Sequence, residues 1–339
     1  METIRRELEQ LCRTPGAAGQ PEISRLAVEL LRPLTDTVKT DAMGNVLAVR
    51  HGTDAAAGTV LLQAHMDEIG FLVTDVDDQG FVHVAAAGSP DERVLAAQDV
   101  VVYGKEPYTG IFCSVPPHLL QKDSGLPELS DRGIDLGMSA ETARACVHPG
   151  DRVGFAPQFY TLRDTIVSGK ALDDRAGMAA VLHALRILKA PAATVAIAFC
   201  VQEEVGRRGA GVAARQLKPD VALATDVSFA LTPDANRRQC GIMGAGAMIG
   251  ISPLLDRRVS EALRQLAEER RITHQFEVMG SSTGTDADMI SKENSGIPTG
   301  LLSIPLRYMH TPVEAVDLRD IAQVGALMAA YITEKGGRL

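Results

Sequence analysis

An apolar segment at residues 61–73, LLQAHMDEIGFLV, is interrupted by side chains suited to acid–base or metal chemistry. Residues 61–64 are typical of a buried strand, and His65, Asp67 and Glu68 follow them directly. An exposed strand end would explain this one stretch, because Asp and Glu usually lie on protein surfaces. The alternative is a metal site, with His65 as a ligand and Asp67 close enough to orient its imidazole ring.

Acidic or imidazole groups follow other apolar runs in the same way. Each alone has an ordinary explanation as a helix N-cap, an exposed strand end or a turn residue. In open α/β sheets, however, ligands bind in the crevice beyond the carboxyl ends of the strands. We therefore favour the interpretation that all these groups meet at one sheet edge. They are Asp173 and Asp174 before a predicted helix, Glu203 and Glu204 after TVAIAFCVQ, Asp226 after VALAT, and His310 after GLLSIPLRYM.

These residue types suit a metal centre. Histidine and carboxylate ligands without a thiolate favour Zn²⁺, Mn²⁺ or Co²⁺. One carboxylate can bridge two ions about 3.5–4 Å apart, which is the arrangement of hydrolytic two-metal sites. Within the adjacent pair Glu203-Glu204, one side chain can be a ligand while the other accepts a proton from water.

The two ends of the chain carry the elements that must position these groups. Helices are predicted at 2–13 and 21–34, with a hairpin turning at 43–45 and a strand at 59–65. From about residue 165, predicted helices alternate with near-continuous apolar strands, as far as a closing helix at 317–334. This alternation is typical of a layered α/β sheet with both faces covered. The segment GAGAMIG at 244–250 lacks the spacing of a dinucleotide-binding loop and is predicted to be a turn.

The middle of the chain has a different pattern. From about 71 to 161, short predicted strands are separated by Gly, Asp and Pro turns, without a long helix. This pattern is typical of a small β-barrel or sandwich. We therefore predict a discontinuous catalytic α/β domain at 1–70 and 162–339, with an inserted β-rich domain at 71–161.

Composition excludes several classes of partner. The chain has 339 residues, a net charge of −9 and no visible Lys/Arg cluster, which argues against nucleic acid and anionic membrane surfaces. No apolar stretch reaches the ~18 residues of a membrane span, and no signal peptide is visible. The absence of Trp argues against a stacking platform for sugars or single strands. Five scattered cysteines without a C-x-x-C motif predict reduced thiols and a cytoplasmic location.

At the acidic and imidazole residues the chain resembles a known family. The segments AHMDEIGF, GKALDDRAG, VQEEVGRRGA, TDVS and RYMHTPVEAVD are similar to the signatures of the tetrahedral, or glutamyl-aminopeptidase-like, cytoplasmic metallopeptidases. CSVPPHLL and SSTGTDADMI also resemble segments of this family, and the match extends from about residue 20 to the end, including the inserted β domain. As a set, in this order and spacing, these motifs are highly specific.

The resemblance implies two divalent metal ions per subunit, Zn²⁺ or alternatively Co²⁺ or Mn²⁺. It implies that Glu203 is the general base, and that Asp67 is the carboxylate that fixes the tautomer of His65. The implied ligands are a bridging Asp173, with His65 and Asp226 at one ion and Glu204 and His310 at the other.

The resemblance also implies an architecture and an activity. The fold would be a zinc-peptidase-like α/β/α sheet domain with a β-barrel-like dimerisation insert. Dimers would assemble into a hollow tetrahedral dodecamer, and the enzyme would remove N-terminal residues from short peptides with a free N-terminus. The preferred N-terminal residue stays open at this point, and we expect the pocket walls around 229–260 and 281–286.

Three other functions are weighed against this one. A related di-metal amidohydrolase would cut N-acyl amino acids, and a catalytically weak oligomeric scaffold would keep the fold for partner binding. The intact set of predicted ligands argues against the scaffold. A glycosidase with paired carboxylates is disfavoured because the chain has no Trp. A serine hydrolase has little support because no G-x-S-x-G occurs, and the single-zinc proteases are excluded because no H-E-x-x-H occurs.

Overall fold

A computed structural model describes residues 1–17, 19–119 and 128–338. The helices in this part of the chain are α1 Glu2–Arg13, α2 Pro21–Leu31, α3 Ala140–Cys146, α4 Leu172–Ile187, α5 Arg208–Leu217, α6 Arg257–Arg270, α7 Ala287–Ile290 and α8 Leu318–Glu334. The strands are β1 Thr37–Thr40, β2 Val46–Arg50, β3 Thr59–His65, β4 Gly70–Val76, β5 Val82–Ala87, β6 Asp99–Tyr103, β7 Pro107–Phe112, β8 Ile134–Asp135, β9 Arg152–Phe155, β10 Phe159–Arg163, β11 Ile166–Gly169, β12 Thr194–Cys200, β13 Val221–Phe229, β14 Ala247–Ile251, β15 His274–Val278, β16 Thr299–Leu306 and β17 Glu314–Asp317.

The larger layer is an eight-stranded sheet in the order β1-β2-β12-β3-β13-β16-β14-β15. Its four central strands, β12, β3, β13 and β16, run parallel. Their carboxyl ends therefore lie along one edge, and the polar residues that end them are brought together there. The outer strands β2 and β14 run antiparallel to this centre.

Helices cover both faces of this sheet, which explains why its central strands are apolar throughout. Along β3, Val60, Leu62 and Ala64 join the core beneath α1, α4 and α8, whereas Leu61 joins the core beneath α5 and α7. Side chains alternate between faces along a strand, so a strand buried on both sides needs apolar residues at nearly every position.

The middle of the chain closes into a barrel of β4, β5, β8, β7, β6 and β9. Its separate core includes Phe71, which packs edge-to-face on Phe112 and Phe155 with ring centroids 5.2 and 5.8 Å apart. A small three-stranded sheet has the order β10-β11-β17. It pairs two strands that follow the barrel in sequence with β17 from the carboxyl-terminal part of the chain. The predicted α/β fold with a β-barrel-like insert is confirmed, although residues 120–127 of the predicted insert lie outside the described residues.

Some local predictions were wrong. The segment 244–250, predicted to be a turn, contains a turn only at its start, and Ala247 begins β14. The strand β15, HQFEV, was missed because its polar and apolar residues alternate without an apolar run. Within the predicted alternation of helices and strands, the segment TDADMISKE favours a helix of its full length, but only the four-residue α7 forms there. None of the helices among the described residues is long and apolar enough to cross a membrane.

Candidate active site

The structure gathers the predicted site residues at the carboxyl edge of the central strands. His65 is the last residue of β3, and Asp226 lies on β13. Glu203 and Glu204 occupy the turn after β12, and Asp173 lies in the irregular, non-helical start of α4. Four segments that are far apart in sequence therefore meet in space. His310, the remaining predicted ligand, follows β16 and reaches the same place from a fifth segment.

The first cluster of potential ligands surrounds the imidazole of His65. Its Nε2 lies 3.0 Å from Oδ1 of Asp173 and 3.8 Å from Oδ1 of Asp226. Its Nδ1 lies 3.2 Å from the backbone carbonyl oxygen of Asp67. That contact places a proton on Nδ1, so Nε2 is the nitrogen available to a metal ion.

The second cluster surrounds His310. Its Nε2 lies 3.5 Å from Oδ2 of Asp173 and 3.6 Å from Oε2 of Glu204. Its Nδ1 lies 2.8 Å from the backbone carbonyl oxygen of Ser89, which again leaves Nε2 facing the carboxylates. The backbone of His310 has φ 63, a left-handed conformation that non-glycine residues adopt mainly where the surrounding structure imposes it.

Asp173 therefore faces both clusters, with one oxygen toward each histidine. Ligand atoms bound at about 2.0–2.2 Å to one tetrahedral ion lie roughly 3.3–3.6 Å apart. The separations of 3.5 and 3.6 Å around His310 fall within this range, and those of 3.0 and 3.8 Å around His65 lie on either side of it. The nitrogen and oxygen donors, without a thiolate, fit Zn²⁺, Co²⁺ or Mn²⁺.

Asp174 is a competing ligand for the cluster at His65, because atoms of His65, Asp174 and Asp226 also lie within 4.8 Å of one another. Its Oδ1, however, accepts a hydrogen bond from the backbone N–H of Gly177 at 2.9 Å. That bond ties Asp174 to the first turn of α4, whereas Asp173 points both of its oxygens at histidines.

Asp67 makes a different contact from the predicted one. Its carboxylate Oδ1 is 3.7 Å from Nδ1 of His65, beyond hydrogen-bond distance, and its backbone carbonyl makes the closer approach. The carboxylate instead accepts hydrogen bonds from the backbone N–H groups of Glu203 at 3.1 Å and Glu204 at 3.3 Å. Asp67 thus holds the turn that carries both glutamates.

Glu314, at the start of β17, is a residue that sequence reasoning missed. Its Oε1 accepts a hydrogen bond from the backbone N–H of His310 at 2.9 Å, and its Oε2 accepts one from the backbone N–H of Asp173 at 3.1 Å. It therefore fixes two of the candidate ligands relative to each other. A neighbouring buried pair, Lys170 and Glu68, was also missed, with Nζ 2.6 Å from Oε2.

Burial gives this cluster unusual electrostatics. It raises the pKa of Glu204 to about 8, with the nearby Asp173 carboxylate adding to the rise. Burial also raises the pKa of Asp226 and of Glu203. The hydrogen bond to Asp173 raises the pKa of His310 to about 9, although burial opposes it. Closely packed carboxylates in a poorly solvated site are stabilised by bound cations, which fits the donor set.

A cavity of about 770 Å³ opens onto these groups. This volume lies in the range of about 300–1,000 Å³ that is typical of small-ligand sites. Both predicted wall segments contribute to its lining, through Phe229 and Met248 and through Thr283 and Thr285. The segment 276–279, which includes much of β15, also lines it and was not predicted.

Comparison with known proteins gives a consistent result. Residues 44–327 match the model of the family described as M42 glutamyl aminopeptidase. A lysyl aminopeptidase from Pyrococcus furiosus is 33% identical over 96% of this chain and 96% of its own length. An aminopeptidase structure from the archaeon Desulfurococcus kamchatkensis has a TM-score of 0.93 at 34% identity, covering 99% of this chain and 96% of that chain.

A further solved structure concerns assembly. The TET1 peptidase of Pyrococcus horikoshii, described as able to assemble into a tetrahedron or a large octahedral shell, has a TM-score of 0.86 at 30% identity. The similarity covers 98% of this chain and 99% of that chain. The chain therefore belongs to the M42 glutamyl aminopeptidase family and is a metallo-aminopeptidase, a hydrolase that acts on peptide bonds.

Proposed function

We propose that this chain is a di-metal aminopeptidase that removes N-terminal residues from short peptides, with Glu203 as the general base. The observation that carries the proposal is the position of Asp173, whose two oxygens lie 3.0 Å from one histidine and 3.5 Å from another. A bridging carboxylate needs this arrangement, because each oxygen must share an ion with a different imidazole. The proposed ligands are Asp173, His65, Asp226, Glu204 and His310.

The proposed ligands would hold two divalent cations, which would supply polarisation of the scissile carbonyl and a lowered pKa of water. Glu203 lines the cavity and takes the proton of the attacking water on its carboxylate, then returns it to the departing amine. Asp67 fixes the backbone of Glu203 for this transfer. The carboxylates that line the cavity attract the free α-amine of a peptide, which is the charge that distinguishes an N-terminus.

We extend the proposal to architecture and location. Residues 1–70 and 162–339 form the catalytic domain, and residues 71–161 form the dimerisation insert. The tetrahedral assembly of a structural neighbour supports a dimer-based dodecamer for this chain. The ion in each site is Zn²⁺, with Co²⁺ or Mn²⁺ as alternatives, and the protein is cytoplasmic. Sedimentation analysis at micromolar concentration separates a dimer from a dodecamer.

The site itself supports an aminopeptidase over the amidohydrolase and the scaffold. An amidohydrolase for N-acyl amino acids binds a substrate without a free α-amine, so the carboxylates that line this cavity would offer that substrate no counter-charge. A scaffold has no need of buried, mutually repelling carboxylates, which destabilise a fold unless cations bind them.

A panel of aminoacyl 4-nitroanilides tests the proposal. We expect hydrolysis by the purified chain, loss of hydrolysis in EDTA, and recovery when Zn²⁺, Co²⁺ or Mn²⁺ is added back. Full activity after exhaustive chelation, verified by metal analysis, would contradict a metal mechanism. Cleavage of only N-acetylated substrates would favour the amidohydrolase.

A further inference from the structure

Glu277 is a charged residue of the cavity wall that the hydrolytic steps do not use. It lies half-buried on the edge strand β15 and lines the same cavity as Asp226. Glu277 pairs with Gly250 of β14. Met248 lies two residues before Gly250, on the same face of β14, and pairs with Ser303 of β16. Ser303 in turn pairs with Asp226 of β13. Because paired residues share a face of the sheet, Glu277 and Asp226 point to the same side.

Two buried serines hold the carboxylate of Glu277 in place. Ser303 Oγ donates a hydrogen bond to Oε2 at 2.6 Å, and Ser228 Oγ donates one to Oε1. A carboxylate has about four acceptor positions, so two of them are left for a ligand. Fixing the side chain in advance lowers the entropy that a ligand must overcome to bind it.

Among the described residues, the two arginines that line the cavity do not form an ion pair with this carboxylate. Arg207 is engaged by Asp288, with Nη1 2.9 Å from Oδ2. Arg238 lines the cavity as well, but it is exposed on a short 3₁₀ turn and its charge is screened by solvent. Met248, which shares this face of the sheet, and Met279, two residues after Glu277, add apolar surface to the wall, which suits an aliphatic stem.

We propose that Glu277 makes this cavity select N-terminal residues with a cationic side chain, Lys or Arg. The inference rests on the proposed aminopeptidase function and assigns its substrate class. The methylene stem of such a residue packs on the apolar wall, and its terminal cation donates hydrogen bonds to the open positions of the Glu277 carboxylate. Ser228 and Ser303 are positioning residues, since they act through Glu277.

The test compares lysyl and norleucyl 4-nitroanilides, which share a four-carbon stem and differ in the terminal ammonium. For the wild-type chain we expect kcat/KM to be about 10–100-fold higher for the lysyl substrate, the range of one charge-assisted hydrogen bond. In Glu277→Gln the ratio of the two kcat/KM values should fall to near 1. The kcat/KM for glutamyl 4-nitroanilide should rise relative to those for the lysyl and norleucyl substrates. Because the lysyl-to-norleucyl ratio of kcat/KM is taken within each variant, a loss of activity that affects all substrates equally cancels.

Glu29→Gln is the matched control, because Glu29 is exposed on α2 and lies outside the cavity lining. It removes the same charge and should keep the wild-type ratio. A wild-type ratio of 1 or below, or an unchanged ratio in folded Glu277→Gln, overturns the selectivity while the aminopeptidase function stands. Absence of hydrolysis for every free-amine substrate in the presence of metal overturns both.

Discussion

The carboxylate of Asp67 accepts a hydrogen bond from the backbone N–H of Glu203, with Oδ1 3.1 Å from N. Its second oxygen accepts the N–H of Glu204 at 3.3 Å. One buried side chain at the end of β3 thus positions both the proposed base and a proposed ligand, which follow β12. The turn needs this support because Gln202, just before it, has φ 63, in the left-handed region that disfavours non-glycine residues.

Asp67→Asn should lower kcat by about 10–100-fold with a smaller change in KM. An amide offers only one acceptor oxygen, so one of the two N–H groups loses its partner and the turn shifts. Asp78→Asn is the control, since Asp78 is exposed and pairs with Arg144 away from the site. Steady-state kinetics and metal analysis measure the outcome. A wild-type kcat in Asp67→Asn would show that this contact does not position the base.

Much of the site was predictable because its residues interrupt apolar runs. An apolar strand that ends in His65 or Glu203 is conspicuous in sequence, and parallel strands deliver such ends to one edge. The alternation of helices and apolar strands likewise predicts a sheet covered on both faces. These predictions concern residue types. In the structure the nitrogen and oxygen atoms of His65, Asp173, Glu204 and His310 lie 3.0–3.6 Å apart, close enough to share metal ions.

The missed contacts have a different physical origin. Ser89 holds His310 through a backbone carbonyl, a group that every residue carries and no sequence pattern marks. Glu314 binds two backbone N–H groups from distant segments, so its role depends on tertiary packing alone. Glu277 lies on an edge strand with alternating polarity, which lacks the apolar run of the central strands.

Glu203→Gln should leave metal content near wild type and lower kcat by about 10²–10⁴-fold, because the amide cannot accept the proton of water. Glu204→Gln is the informative neighbour, since loss of a ligand should reduce metal content first. Inductively coupled plasma metal analysis alongside kinetics distinguishes the two. Normal activity in Glu203→Gln, or loss of both ions, would remove Glu203 from the role of base.

Asp173→Asn should empty both metal positions, because one side chain neutralises two cations. Asp174→Asn should retain both ions, since the amide oxygen can still accept the N–H of Gly177. Metal stoichiometry after dialysis measures each variant. One ion fully retained in Asp173→Asn would rule out the bridge, and loss of an ion from Asp174→Asn would make Asp174 a ligand.

Asp320 should give the stability of the fold a distinct pH dependence. Burial raises its pKa to about 6 from 3.8, against the hydrogen bonds that it accepts from the N–H groups of Gly244 and Gly246. Between these pH values the folded state binds more protons than the unfolded state, so this residue's contribution to stability falls as pH rises.

Asp320→Asn removes that dependence. The stability of wild type relative to the variant should therefore decrease by about 2 kcal/mol between pH 4 and 6.5. Urea unfolding of both proteins in EDTA measures it, since the other titrating groups contribute equally and cancel. A constant difference, or one that grows with pH, would contradict the raised pKa.

The most direct test of the central claim asks whether cleavage requires a free N-terminus on the peptide. Asp173, Glu204 and Asp226 line the cavity, so we expect it to favour a free α-amine, and acetylation removes the charge of that amine and adds bulk. The discrimination should reach about 10⁴-fold, as it does when a site's polar groups lose their partner. Matched peptides, free and N-acetylated, are digested with the metal-loaded protein and followed by mass spectrometry. We predict stepwise loss of single N-terminal residues from the free peptide and no cleavage of the acetylated one; equal cleavage of both, or internal fragments appearing first, would contradict the account.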